Sequence, residues 1–162
     1  MGILRRKDRT IKDINTIKEI VSKCQVVRVA MCKDNVPYLV PLNYGYEFSD
    51  KGELILYCNC STIGKKLDIL EENPNVFIEI DNKKHIIEND TTCDHDFEYY
   101  SIMSAGRVEF VHNIYDKIHG LNKITGNYTS KNSTSEFKNE ALNKIFLLKI
   151  TCTNISAKIC TR

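Results

Sequence analysis

Two hydrophobic periods divide this chain. Apolar residues three and four apart run through Ile14, Ile17, Ile20, Val21 and Cys24. That stripe predicts an amphipathic helix over residues 13–24, with Asp13 placed to cap it. β-rich runs then take over. Val26–Cys32 (VVRVAMC) and Val36–Phe48 (VPYLVPLNYGYEF) flank the turn signal Lys33-Asp34-Asn35, and together they predict a hairpin. Ser49-Asp50-Lys51-Gly52 predicts the next turn and Glu53–Asn59 the next strand, with Leu54, Ile55, Leu56 and Tyr57 apolar.

The helical period returns over residues 62–72, where Ser61 is placed to cap, Ile63, Leu67 and Leu70 form the apolar face, and Asn73-Pro74 ends the helix. Asn75–Ile80 alternates as a strand. Residues 81–96 (DNKKHIIENDTTCDHD) are polar and charge-mixed and read as a long loop, a lid or a subunit contact. β pattern resumes over Glu98–Val111, with a bend expected at Ala105-Gly106. Asn113 is placed to cap a helix reaching Tyr128, with Ile114, Ile118, Leu121 and Thr125 on one face. A loop over 129–135, a short helix over 136–143, a strand over Ile145–Thr151 and a further strand over Ile155–Ile159 complete the chain. About six or seven strands joined mainly by hairpins, with three or four helices, predict an antiparallel barrel or sandwich. No repeat or linker breaks it, so one domain over residues 1–162 is expected.

Two prolines refine this pattern. A proline cannot donate to a strand ladder, so Pro37 and Pro41 belong at an edge, a bulge or a strand start. Pro41 predicts an interrupted ladder whose backbone groups are free to meet something else, and Gly45 offers close backbone approach.

Charge narrows the function classes. Lys and Arg number 23 against 21 Asp and Glu, a balance that does not point to nucleic acid. The densest basic run, Arg5, Arg6, Lys7 and Arg9, reads as a solvated tail or as a contact to a partner subunit or an anionic ligand. No apolar run follows it as in a signal peptide, nothing approaches a membrane span, and Arg6 stands where a myristoylation signal wants Ser or Thr. A cytoplasmic protein is the expectation. Seven cysteines, odd in number, read as thiols rather than a disulfide framework. Cys58 and Cys60 share a strand face. With Cys93 and His95 they make zinc conceivable, against the alternative of small buried hydrophobes.

The helix after Ser61 holds the best candidate chemistry. A helix start exposes unpaired N–H groups and partial positive charge. Ser61, Thr62, Lys65 and Lys66 stand there, so the end is either a phosphate site or a solvated helix start. Gly64 within the predicted helix favours function, because glycine there costs about 1 kcal/mol relative to alanine. His85, His95, His112 and His119 fall in no nucleophile, zinc or triad pattern and read as surface or structural residues. Tyr99 and Tyr100 read as packing residues or as platforms for a ring.

Several ordered stretches together resemble the nitroimidazole-resistance (Nim-type) branch of the pyridoxamine 5′-phosphate oxidase-like flavoproteins. They are RRKDR at Arg5–Arg9, VPLNYGYE at Val40–Glu47, LYCNCSTIGKKLDILEENPNV at Leu56–Val76, Cys93-Asp94, and YYSIMSAGRVEFV at Tyr99–Val111. The resemblance implies a mainly β (α+β) antiparallel split barrel that binds FMN as a homodimer, with two sites at the subunit interface. It places Pro41, Leu42, Asn43 and Tyr44 beside the isoalloxazine, Tyr57, Cys58 and Asn59 along the ribityl chain or phosphate, Lys65 and Lys66 on the phosphate, and Ser101 on the flavin from either subunit. Many relatives carry histidine where this chain has Asn59, and asparagine cannot titrate near neutral pH. Three functions follow as expectations. One is an FMN-dependent oxidoreductase, with a nitroaromatic acceptor and a reduced nicotinamide donor implied by resemblance. The others are a flavin- or haem-binding module without turnover and a small zinc protein.

Overall fold

The computed structural model describes residues 10–87, 96–128, 137 and 139–160. The elements are β1 (Thr10–Ile11), α1 (Ile14–Lys23), β2 (Val26–Lys33), β3 (Val36–Asn43), β4 (Gly45–Phe48), β5 (Leu54–Ser61), α2 (Lys65–Glu72), β6 (Asn75–Ile87), β7 (Asp96–Phe110), α3 (Ile114–Tyr128), α4 (Asn139–Asn143) and β8 (Ile145–Cys160). All strands pair antiparallel in one sheet of order β3-β2-β6-β7-β8-β5-β4, with β1 laid against β8. The fold is the expected mainly β, α+β split barrel.

Strand alternation decides what the barrel encloses. Val27, Val29 and Met31 of β2, Leu54, Leu56, Cys58 and Cys60 of β5, Val76, Ile78 and Ile80 of β6, and Ile102 and Val108 of β7 all enter one core. α1 adds Ile17, Ile20 and Val21, and α2 adds Leu67, Ile69 and Leu70. The opposite parity of β5 and β8 supplies Tyr57 and Leu147 to a second cluster, covered by Leu121 of α3 and Leu142 of α4. α3 therefore sits on the outside of the barrel wall. Gly45 and Gly120 let it come close. A Cβ on Gly45 would lie 2.2 Å from the Ile124 nitrogen, and one on Gly120 would lie 2.5 Å from a Leu147 methyl.

Several local readings hold. Asp13 caps α1, accepting from the Thr16 amide at 2.8 Å, and Asn113 caps α3, accepting from the Tyr115 amide at 2.8 Å. Asp34 and Asn35 both adopt positive φ, as the tight β2–β3 turn requires.

Other readings are corrected. Pro41 interrupts nothing, for it pairs in register with Arg28 while β3 runs on to Asn43. Pro37 and Pro41 share one ladder parity, the one whose missing N–H would point away from β2. β3 is an edge strand, and that is what tolerates them. The break falls at Tyr44, where Val36–Phe48 divides into β3 on β2 and β4 on β5. These two strands end the sheet on opposite sides, so one residue joins the sheet's two edges.

Residues 81–96 are not a loop throughout. Asp81, Asn82 and Lys83 pair with Ser101, Tyr100 and Tyr99. After a bulge, Ile86 and Ile87 pair with Phe97 and Asp96. Backbone pairing carries this ladder past the apolar core, so its polar side chains do not argue against it. Residues 88–95, including Cys93 and His95, lie outside the described residues, as do the basic run and the whole loop over 129–135. Ser61 caps no helix. It ends β5 opposite Ile145, and α2 starts three residues later than expected, after Gly64. Ile63 is 84% exposed and belongs to no apolar face. The two C-terminal strands are a single β8, irregular at Asn154 with φ 59°. The neighbouring shift in β7 lies between Met103 and Ala105 rather than at Gly106.

Candidate functional site

Tyr44 sits at the join. Its ring is wholly buried and its hydroxyl donates to the Val21 carbonyl at 2.7 Å. Its own carbonyl accepts from the Asn127 amide at 3.0 Å. Burial raises its phenol well above the ordinary value. Tyr44 therefore offers no ring face to a ligand and instead anchors the join to α1 and α3. Beside it on β3, Pro41 and Asn43 are exposed on the outer side while Leu42 turns inward, half-buried. β3 and β5 approach each other across this seam.

β5 distributes its candidates by parity. Cys58 and Cys60 point into the core, and burial raises both thiols, so neither is a ready thiolate. Asn59 and Ser61 are exposed on the outer side. Tyr57 shares that parity but is covered by α3. Its hydroxyl donates to Glu47 Oε1 at 2.7 Å, and its ring meets His119 edge-on at 5.7 Å. Glu47 Oε2 lies 2.9 Å from His119 Nε2 and 3.1 Å from Lys123 Nζ. Burial alone would raise the Glu47 carboxyl, but Tyr57, His119 and Lys123 outweigh it and hold it at about 2. Tyr57 thus braces α3 against β4 and β5. A cavity of about 270 Å³ borders this cluster, lined in part by His112, His119, Asp116 and Lys149.

From Ser61 the chain turns sharply. The Ser61 hydroxyl accepts from the Ile63 amide at 3.4 Å. Gly64, at φ 148°, then precedes α2 with no side-chain cap. That φ is glycine's territory, and a Cβ there would meet nothing within 4 Å. The start of α2 is therefore open and uncapped. Lys65 is exposed and Lys66 half-buried, and neither has a carboxylate partner among the described residues. Lys65 Nζ instead lies over the Tyr38 ring, 4.7 Å from its centroid. Two cations without carboxylate partners among the described residues, at a helix start with no side-chain cap, suit a phosphate.

Ser101 lies elsewhere. It is half-buried on the outer side of β7, between Asp81 and Lys158 in register. β7 is three ladder steps from β3, about 14 Å at ordinary strand spacing. Lys65 thus meets β3 through Tyr38 and Lys66 acts on Cys60 of β5, with β3 and β5 adjoining at the seam, while Ser101 belongs to the outer wall. That wall carries Leu39, Ala30, Phe77 and Ala105 in one register row, with Leu39 54% and Phe77 50% exposed. The row runs into a groove of about 680 Å³ lined by Ile11, Phe77, Met103, Ala105, Ile155 and others. The groove also touches Thr10 and Ser156, whose buried hydroxyl oxygens have no hydrogen-bond partner.

Sequence reasoning missed Tyr38, the Glu47–His119–Lys123 cluster and the outer apolar row. Only the row left a signal, since Leu39 and Phe77 sit out of phase with their core-facing neighbours. No cluster of three or more metal-ligating side chains occurs among the described residues. No helix among them is long and apolar enough to cross a membrane.

Comparison with known proteins supplies the family. The pyridoxamine 5′-phosphate oxidase family matches residues 13–159. A candidate 5-nitroimidazole antibiotic resistance protein of Bacteroides thetaiotaomicron superposes with a TM-score of 0.79 at 26% identity, covering 93% of this chain and 86% of that one. An FAD- and haem-binding protein of Mycobacterium smegmatis reaches 0.83 at 16% identity over 95% and 74% of the two chains. The flavocytochrome Anf3 of Azotobacter vinelandii reaches 0.84 at 16% over 99% and 73%. An uncharacterized protein of Rhizobium meliloti is 34% identical over 61 residues, 38% of this chain and 36% of that protein. The resemblance carried by Val40–Glu47, Leu56–Val76 and Tyr99–Val111 is met, and the chain belongs to the pyridoxamine 5′-phosphate oxidase family.

Proposed function

We propose that this protein is an FMN-dependent oxidoreductase that works as a homodimer. The observation that carries the reading is the uncapped start of α2, where Lys65 and Lys66 stand without carboxylate partners among the described residues, beside the seam of β3 and β5. A phosphate monoester there meets two ammonium groups and the free amides of a helix end. The outer backbone of β3 around Pro41–Asn43 would border the ring, and Asn59 would hydrogen-bond the ribityl chain. Bound FMN would supply the electron transfer, and the chain would orient it and shield it from water. Tyr57 and Tyr44 would act through the frame, since their side chains are occupied within the fold. The B. thetaiotaomicron relative favours a nitroaromatic acceptor.

Ser101 supports the dimer. It lies too far along the wall to join its own Lys65 and Lys66, whereas a two-fold partner docked on the apolar outer row would bring its Ser101 to the seam. Such an interface is isologous and yields two equal sites. Cys24, Cys32, Cys58, Cys60 and Cys152 stand as thiols, which suits a reducing compartment such as the cytoplasm.

The visible spectrum of freshly purified protein tests the cofactor, and a flavin spectrum is expected. Replacing Lys65 and Lys66 together by alanine is expected to weaken FMN at least tenfold, about 1.4 kcal/mol, and to leave riboflavin nearly unchanged. Equal loss for both ligands would count against the phosphate assignment. Stimulated oxidation of reduced nicotinamide by a nitroaromatic tests turnover. A second reading, a flavin- or haem-binding module without turnover, is favoured by Asn59, which cannot exchange a proton near neutral pH. It prevails if bound FMN is never reduced by reduced nicotinamide.

A further inference from the structure

Lys65 and Lys66 are adjacent in sequence but held differently. About 100° of helix rotation separates them. Lys66 is half-buried and its charge acts on the Cys60 thiol. Lys65 is exposed, and its one described contact is the face of Tyr38. Tyr38 sits on β3, opposite Met31 in register, three residues before Pro41. Its ring packs on the barrel core from a half-buried position, so it is fixed by the fold rather than by the lysine.

We infer that Tyr38 is the positioning residue for Lys65. Its ring face holds the ammonium at the mouth of α2 and leaves N–H donors free for the ligand phosphate. This rests on the phosphate assignment of Lys65 and Lys66 above. An ammonium draws one side to the negative face of an aromatic ring, and its three donors are not all used there. A lysine stem otherwise samples many rotamers, and holding it in advance removes part of the ordering cost on binding. The contact also ties α2 to β3, fixing the distance between the phosphate clamp and the strand proposed to border the flavin ring. Tyr38 would therefore contribute to the preference for FMN over riboflavin without touching either ligand.

The test is the ratio of FMN to riboflavin affinity, measured by titration of the flavin-stripped full-length protein. Tyr38→Leu is expected to lower the ratio about two- to fivefold, the scale of an exposed cation–π contact. Tyr38→Phe is expected to keep it. The loss from Tyr38→Leu is expected to vanish in a Lys65→Ala background and to persist with Lys66→Ala, because only Lys65 is coupled to the ring. Phe48→Leu, which removes the separate Lys18 contact at 5.3 Å, is expected to leave the ratio unchanged. If Tyr38→Leu does not fold, a pentafluorinated phenylalanine at position 38 inverts the ring's face at similar volume, and the same two- to fivefold loss is expected. Equal weakening of FMN and riboflavin, tighter FMN binding by Tyr38→Leu, or a loss that survives Lys65→Ala would each overturn the inference while the phosphate assignment stands. A ratio unmoved by Lys65→Ala and Lys66→Ala would overturn both.

Discussion

Glu47 accepts three donors in a half-buried pocket beneath α3, and its carboxyl is held near 2 where 4.5 is ordinary. A carboxyl depressed by folding adds stability above its unfolded value and loses it as pH falls through the folded one. The protein is expected to lose stability as pH falls from about 5 towards 2. Glu47→Gln should flatten that slope while costing about 1–3 kcal/mol at neutral pH. Urea unfolding at a series of pH values measures both, and an unchanged slope would remove Glu47 from the account. The Glu47 cluster was not legible in the sequence. Glu47, Tyr57, His119 and Lys123 come from three separate elements, and no spacing announces that they meet. The paired lysines were legible, because helix-start chemistry is local. Ser61 is by type a better N-cap than Gly64, yet it stays in β5 opposite Ile145. The ladder to β8 overrode that preference.

At the level of elements, three glycines separate close packing from open space. Gly45 faces the backbone of α3 at 2.2 Å, Gly120 faces Tyr57 and Leu147, and Gly126 has nothing within 4 Å. Gly45→Ala is expected to cost about 3 kcal/mol or more, because the obstructing atoms are backbone. Gly126→Ala, on the exposed side of α3, is expected to stabilise by about 0.5–1 kcal/mol through helix propensity. Chemical denaturation decides the signs, and a shared sign would contradict the packing of α3. Helix existence was readable from period and caps in α1 and α3, where Asp13 and Asn113 do as their types suggest. Strand length was not. β6 and β7 stay paired beyond the barrel core, as far as Ile87 and Asp96, and hydrophobic alternation cannot register a ladder that leaves the core.

Over the whole molecule, the outer row of Leu39, Ala30, Phe77 and Ala105 asks for cover. Phe77→Glu is expected to give a monomer by light scattering and to reduce bound flavin with it, since it sets a charge at the centre of the proposed isologous contact. A dimer that survives this change would move the interface elsewhere. The barrel class was legible from many short strands and hairpin turns, but its closure was not. Closure depends on one residue, Tyr44, where an apparently continuous strand leaves one end of the sheet and joins the other. That join has a dynamic consequence. The sheet is a strip whose two end strands, β3 and β4, are joined by no ladder to each other among the described residues but by this corner and the packing beside it, so a slight parting of the two would leave every ladder paired. A flavin lying across the seam would then act as a clasp. Amides of β3 and β4 should exchange with deuterium more slowly in the loaded protein by a larger factor than amides of β6 and β7, beyond the uniform protection that binding alone confers.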